Sequence, residues 1–103
     1  MALPTLSPEQ RQVALEKARE ARAARSAMLA EVKAGTVTLG DVLGRDDDTA
    51  RRTKVSQLIR ALPGVGPARA SAAMEHAGIT ADRRLGGLGA RQREQLLAEF
   101  AGQ

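Results

Sequence analysis

The residues of this chain best suited to chemistry are two glycines and a set of arginines, and the chemistry they suit is the holding of anions. Leu58 to Arg69 reads Leu-Ile-Arg-Ala-Leu-Pro-Gly-Val-Gly-Pro-Ala-Arg. An apolar helical pattern runs into Leu62, stops at Pro63-Gly64 and restarts at Pro67, which predicts two helices joined by a loop of about four residues. Gly64 and Gly66 flank Val65, a residue of buried type, and give a backbone that can reach positive φ and let another molecule come close. The amides of Gly64, Val65, Gly66, Ala68 and Arg69 are expected near one helix N-terminus, where N–H groups face outward and the dipole favours negative charge. Pro67 has no amide to give. The plainer reading of the same spacing is a tight connection between helices.

Other chemistry finds little support. His76 is the only histidine and falls in the last turn of a helix, where an imidazole interacts with the helix C-terminus. Ser7, Ser26, Ser56 and Ser71 have no histidine and acid arranged around them for nucleophilic catalysis, and no cluster has metal-ligand spacing. Asp46-Asp47-Asp48 lacks the alternating ligands of a calcium loop and reads as an acidic cap on the next helix. Gly64-Val-Gly66 follows no strand and precedes no Gly-Lys-Ser/Thr, so it is neither a dinucleotide fingerprint nor a P-loop. The expectation is therefore no catalytic residue, no metal and no cofactor.

Charge points to the partner. The net charge is +4, but its distribution matters more. Residues 1–34 carry six bases and four acids, residues 35–48 one base and four acids, and residues 49–103 nine bases and four acids. The hairpin lies in the basic half, which implies a polyanion. With one Phe and no Tyr or Trp there is nothing on which to stack unpaired bases, so duplex is favoured over single strands. The absence of cysteine excludes thiol redox chemistry, and no window approaches the roughly 20 apolar residues of a membrane span. The opening residues lack the basic and apolar regions of a leader, so a cytoplasmic protein is expected.

The elements that must position the hairpin are all helical, since no segment alternates with period two. Ser7-Pro-Glu-Gln10 is a helix start, with Ser7 as N-cap and Gln10 three residues on, and nothing interrupts the helix before Gly35. On that helix Arg11, Arg19, Arg22, Arg25 and Lys33 share an arc of roughly 120°, with Leu15, Ala18, Leu29 and Val32 overlapping or flanking it. Either these side chains lie over a buried seam with their heads in water, or they form a second polyanion-binding face. Thr38 to Leu43 is predicted as a short helix, capped reciprocally by Thr38 and Asp41 and ended by Gly44. One further helix is expected to carry Arg51, Arg52 and Lys54 and then bury Val55, Leu58, Ile59 and Leu62. Beyond the hairpin, Ala70, Ala73, Met74 and Ala77 continue a helix to Gly78, Thr80 to Arg84 suits one turn, and Leu85-Gly-Gly-Leu-Gly89 reads as a close-approaching loop. A last helix from about Ala90 to Ala101 turns Leu96, Leu97 and Phe100 inward. Arg91 and Arg93 near its start are unfavourable there by about 0.3–1 kcal/mol, which a bound anion would relieve.

The apolar pair before Pro63-Gly64, then Val65, Gly66 and an Ala and Arg in the next helix, resembles the helix-hairpin-helix, whose amides hold phosphates of duplex DNA. The wider pattern is more specific. Met1-Ala-Leu-Pro4, Pro8-Glu-Gln-Arg11, Ala14-Leu-Glu-Lys-Ala18, Lys54-Val-Ser56, Leu62-Pro-Gly-Val-Gly66, Arg83-Arg-Leu and Gly87-Leu-Gly89 together resemble the integration host factor family of actinobacteria over essentially the whole chain. That resemblance implies an all-α protein ending in a helix-two-turns-helix module, and a nucleoid-associated function: binding duplex DNA with little sequence preference and bending it. It places Gly64 to Arg69 on phosphates, and Arg83 and Arg84 on the backbone or groove. Family members commonly carry Lys where Pro67 stands and Arg where Gly86 stands, so Arg91 and Arg93 are expected to replace part of the missing charge.

The expectation is thus a long N-terminal helix over residues 1–34 and a compact DNA-binding region over residues 35–103. Its duplex site comprises Lys54, Gly64, Val65, Gly66, Ala68, Arg69, Arg83, Arg84, Arg91 and Arg93, and the protein acts as a monomer. The helix would offer Arg11, Arg19, Arg22, Arg25 and Lys33 to a second duplex, or its surface to a recombination protein. The alternative is an RNA-binding protein of ribosomal type, because a small-subunit ribosomal protein shares a similar module, echoed by Ala77-Gly-Ile79 and Arg83-Arg84.

Overall fold

A computed structural model describes residues 7–101; the Met1–Pro4 part of the resemblance lies outside them. Six helices follow in order: α1 (Pro8–Ala34), α2 (Leu39–Leu43), α3 (Asp48–Arg52), α4 (Val55–Ala61), α5 (Pro67–His76) and α6 (Ala90–Glu99), with a 3-10 turn at Leu85–Gly87 before the last.

The starts of α1 and α2 and the end of α1 are those the sequence encodes. The Ser7 hydroxyl accepts from the Gln10 amide at 3.1 Å while the Ser7 amide donates to the Gln10 side chain at 2.8 Å. Gly35 closes α1 at φ 82°, a conformation costly for any residue with a Cβ. Thr38 and Asp41 cap α2 in the same reciprocal way, at 3.0 and 3.1 Å. Those bonds from Thr38 hold the Asp41 carboxyl below its usual range. Asp47 caps α3, and the Arg45 guanidinium 2.8 Å away holds its carboxyl down at about 2. The acidic run is thus a cap tied to its own neighbours: Asp47 to Arg45, and Asp48 to Arg51.

The single helix expected to run from Arg51 to Leu62 is two helices. Thr53 breaks it. Its fully buried hydroxyl donates to the Thr49 carbonyl at 2.6 Å, competing with the helical ladder. The backbone around it turns outward to pair with a distant strand-like stretch. The Val55 amide donates to the Arg83 carbonyl and the Leu85 amide to the Thr53 carbonyl, both at 2.9 Å, forming an isolated antiparallel bridge between Lys54 and Arg84.

The core gathers Val32 of α1, Leu39 and Val42 of α2, Val55, Leu58 and Ile59 of α4, Met74 of α5, and Leu96 with Phe100 around α6. α1 packs on α3 and α4, α4 on α5, α2 and α5 on α6, and the 3-10 turn on α3. Two expected apolar contacts do not form. Leu97 stays 42% exposed because the adjacent Leu96 takes the inward direction, about 100° away around the helix. Leu15 is 53% exposed because α1, about 40 Å long at 1.5 Å per residue, outruns the elements that could cover it. Only Met28 and Val32 in its second half are buried.

Candidate nucleic-acid interface

The hairpin tip is built from backbone. α4 ends at Ala61, and the buried Leu62 and Val65 pin the loop to the core. Gly64 turns the chain at φ 77°. The Ala70 amide makes the first bond of α5, to the Gly66 carbonyl at 3.0 Å. This leaves the amides of Gly64, Gly66, Ala68 and Arg69 without a hydrogen-bond partner among the described residues, and each residue is exposed. Val65, expected to join them, commits its amide to the Leu62 carbonyl at 3.2 Å. Gly66 has ordinary φ, and a Cβ built on it would meet nothing within 4 Å. Neither strain nor internal crowding asks for glycine there; what its bare backbone permits is close approach from outside.

Arg69 contributes its amide to the tip but not its side chain. Its guanidinium lies over the Phe100 ring, 5.1 Å from the centroid, and donates to the Glu99 carbonyl at 3.4 Å, pinning α5 to the end of α6.

A second group of residues is built from side chains. In an antiparallel bridge the directly opposed residues project to the same face, so Lys54 and Arg84 stand side by side. Arg84 donates through Nη1 to the Arg52 carbonyl at the end of α3, and Arg83 donates to the Gly87 carbonyl at 2.8 Å. Each guanidinium keeps further N–H groups for another acceptor. Like charges directly opposed in a ladder destabilise it, and among the described residues the ion pairs formed are those of Arg45 and Arg51 alone, so no carboxylate offsets Lys54, Arg83 or Arg84. A polyanion laid across them would.

Gly86 and Gly87 allow this crowding. A Cβ on Gly86 would come 3.2 Å from Arg51 Cβ and 3.3 Å from its carbonyl oxygen, and one on Gly87 would come 3.1 Å from Arg83 Cδ. The glycine-rich stretch is the closely approaching segment its composition suggests, with a 3-10 turn inside it.

The two arginines of α6 differ. Arg91 is exposed at the start of the helix. Arg93 is half-buried and donates to the Leu43 carbonyl at 2.7 Å and to the Leu85 carbonyl at 3.3 Å. On α1, Arg11, Arg19, Arg22 and Lys33 are exposed, whereas Arg25 is half-buried in a cleft with Ala21, Asp48, Thr49 and Arg52. Arg52 is thus set between Arg25 and Arg84, a place sequence reasoning did not give it. The Arg-Arg-Thr-Lys run of residues 51–54 was the available signal. His76 is exposed beside Arg69 and Glu99. The described residues hold no group of three potential metal ligands, and no described helix is long and apolar enough to cross a membrane.

This arrangement has counterparts. Residues 32–100 match the S13-like H2TH domain family. The integration host factor of Streptomyces coelicolor is 45% identical over 102 residues, covering 97% of this chain and 95% of that protein. The integration host factors of Mycobacterium tuberculosis and Mycolicibacterium smegmatis are each 46% identical over 102 residues, covering 97% of both chains in each case. Among solved structures, sIHF bound to an 8 bp palindromic DNA superposes with a TM-score of 0.78 at 40% identity, over 82% of this chain and 98% of that one. With likeness of this degree along nearly its whole length, the chain belongs to the integration host factor family of actinobacteria.

Proposed function

We propose that this protein binds duplex DNA with little sequence preference, bends it, and so helps to organise the chromosome within the nucleoid and to shape DNA for site-specific recombination, without catalysing a reaction. The observation that carries the reading is the pairing of four free, exposed amides at the hairpin tip with the opposed cations Lys54 and Arg84. The first suits individual phosphate oxygens and the second a line of phosphates. Contacts of both kinds to phosphates carry no sequence information directly, which is why little sequence preference is expected. The relatives named integration host factor and the DNA-bound sIHF support the same reading.

The proposed contacts are the amides of Gly64, Gly66, Ala68 and Arg69 with the loop set by Val65, and the side chains of Lys54, Arg83, Arg84 and Arg91. The exposed Arg11, Arg19, Arg22 and Lys33, with Arg25, form a second basic surface on α1 for another duplex or a recombination protein. Replacing Arg11, Arg19 and Arg22 together by Ala tests this: single-duplex affinity should change little while co-capture of two labelled duplexes is lost, and unchanged co-capture would refute it.

The test of the whole is a salt titration of binding to duplex DNA, single-stranded DNA and structured RNA side by side. If roughly four phosphates are neutralised, log K should fall against log salt with a slope near −3.6, at about −0.9 per phosphate. A slope near zero for duplex would sink the proposal. Preference for structured RNA would favour the ribosomal-type reading instead.

A further inference from the structure

Arg93 stands out among the cations because its hydrogen bonds all point inward. Its guanidinium spans two carbonyls from elements far apart in sequence: Leu43, the last residue of α2, and Leu85, the first residue of the 3-10 turn. Leu43 sits in the last turn of α2, where carbonyls lack helical partners. Leu85 directly follows Arg84, and its amide is the one that closes the Lys54–Arg84 bridge by donating to the Thr53 carbonyl at 2.9 Å. Leu85, the residue after Arg84, is therefore gripped from both sides, its amide by Thr53 and its carbonyl by Arg93.

That grip matters because of what the segment is. Residues 83–89 hold two adjacent basic side chains and three glycines, a sequence with much conformational freedom to lose and two opposed charges, Lys54 and Arg84, pushing it from its neighbour. Arg93 is anchored on α2 by a short charged hydrogen bond, 2.7 Å to the Leu43 carbonyl, and from that anchor it reaches the segment with a longer one, 3.3 Å to the Leu85 carbonyl.

We infer that Arg93 is a positioning residue for DNA binding: it contacts no phosphate, and it holds the Arg83–Arg84 segment against α2 and α6 so that Arg84 stays opposite Lys54. Arginine is needed for its fork, which serves two acceptors at once, rather than for its charge. The inference rests on the proposed role of Arg83 and Arg84 in DNA binding.

The experiment compares Arg93→Lys and Arg93→Gln, each also in an Arg83→Ala/Arg84→Ala background, in the full chain. Lysine keeps the charge but cannot span both carbonyls. The expected result is that Lys and Gln weaken duplex binding alike, by roughly fivefold to twentyfold, and that neither weakens it further once Arg83 and Arg84 are gone. Wild-type binding by Arg93→Lys alongside a tenfold loss in Arg93→Gln, or effects that multiply with the double substitution, would overturn the inference in favour of a direct phosphate contact. Amide exchange gives a readout that needs no DNA. The Leu85 amide should lose protection in both variants while the Ile59 and Ala73 amides keep theirs, and retained protection at Leu85 would overturn the inference even with DNA absent. Should the Arg83→Ala/Arg84→Ala protein bind duplex normally, the functional reading fails, and the Leu85 amide alone decides the role of Arg93.

Discussion

The hairpin tip and the Lys54–Arg84 bridge, proposed to meet the same kind of partner, are built of different materials. At the tip, Gly64, Gly66, Ala68 and Arg69 present unpartnered amides, and the only charged side chain there, that of Arg69, is drawn away onto Phe100 and Glu99. At the bridge, the backbone pairs through Thr53, Val55, Arg83 and Leu85, the amides of Lys54 and Arg84 themselves have no partner among the described residues, and side chains add full charge. An amide has fixed direction and partial charge; a guanidinium has full charge on a flexible stem. The tip is thus suited to setting where a phosphate sits, and the bridge to setting how strongly the duplex is held. The tip is stiff because two buried residues, Leu62 and Val65, hold it. The bridge is held by its two backbone bonds, by Arg93 on the Leu85 carbonyl, and by the carbonyls of Arg52 and Gly87 that restrain its arginines.

The comparison breaks most readily at the bridge. Replacing Arg83 and Arg84 together by Ala should weaken binding to all duplex sequences alike, by one to two orders of magnitude, and make the slope of log K against log salt shallower by about 1.8, at about 0.9 per lost phosphate contact. Fluorescence anisotropy at several salt concentrations measures both. A double variant with the original slope would mean that the bridge does not touch phosphate.

The tip gives a smaller effect of different character. Gly66 is the N-cap of α5 in an extended conformation that serine adopts readily, with open space where a Cβ would go. In Gly66→Ser the hydroxyl would accept from one of the free amides. Serine leads glycine slightly as an N-cap, so the protein should gain a few tenths of a kcal/mol in stability. It should also lose roughly threefold to tenfold in duplex affinity, with the salt slope unchanged because no cation is removed. Thermal melting and a salt series read the two halves separately. A variant that is more stable and binds as before would show that the amides at the tip are not used.

The tip was legible in the sequence and the bridge was not. Gly64, Gly66 and Pro67 act locally: a turn, a helix start and the freed amides follow from residues within one short stretch. The same holds for Ser7 with Gln10 and for Thr38 with Asp41. The bridge joins residues about thirty positions apart, and periodicity carries no information at that range. Val55, Leu58, Ile59 and Leu62 fit a helical period that Arg51 and Arg52 continue smoothly, so Thr53 gave no warning of a break; its hydroxyl takes the Thr49 carbonyl only because the 83–85 segment is there to receive the freed backbone. Arg93 is a related case. Its charge is visible in sequence, but its carbonyl partners, on α2 and in the 3-10 turn, are products of the fold. Leu15 and Leu97 show the converse error, since an apolar residue in phase is buried only if another element reaches it.

The subtlest distinction between the two regions lies in acid. α3 carries the Arg52 carbonyl that restrains Arg84, and its other end is capped by Asp47, whose carboxyl Arg45 holds at about 2. A folded-state value below the unfolded one, near 3.9 for an aspartate, means the cap stabilises the fold above the unfolded value and loses that effect as pH falls toward 2. Asp41 is lowered in the same direction by its bonds from Thr38, but it caps α2. The hairpin tip has no carboxylate in its framework. Between about pH 4 and pH 2, amide protection should therefore fall first in α2 and α3 and in the Leu85 amide, while α5 keeps its own until global unfolding. Asp47→Asn, which retains a capping side chain without the titrating charge, should remove the pH dependence in α3 and leave that in α2. Residue-resolved amide exchange across this range is the measurement. Simultaneous loss in α3 and α5, or an unaltered pH dependence of α3 in Asp47→Asn, would mean that the bridge does not depend on this cap and that tip and bridge stand or fall as one unit.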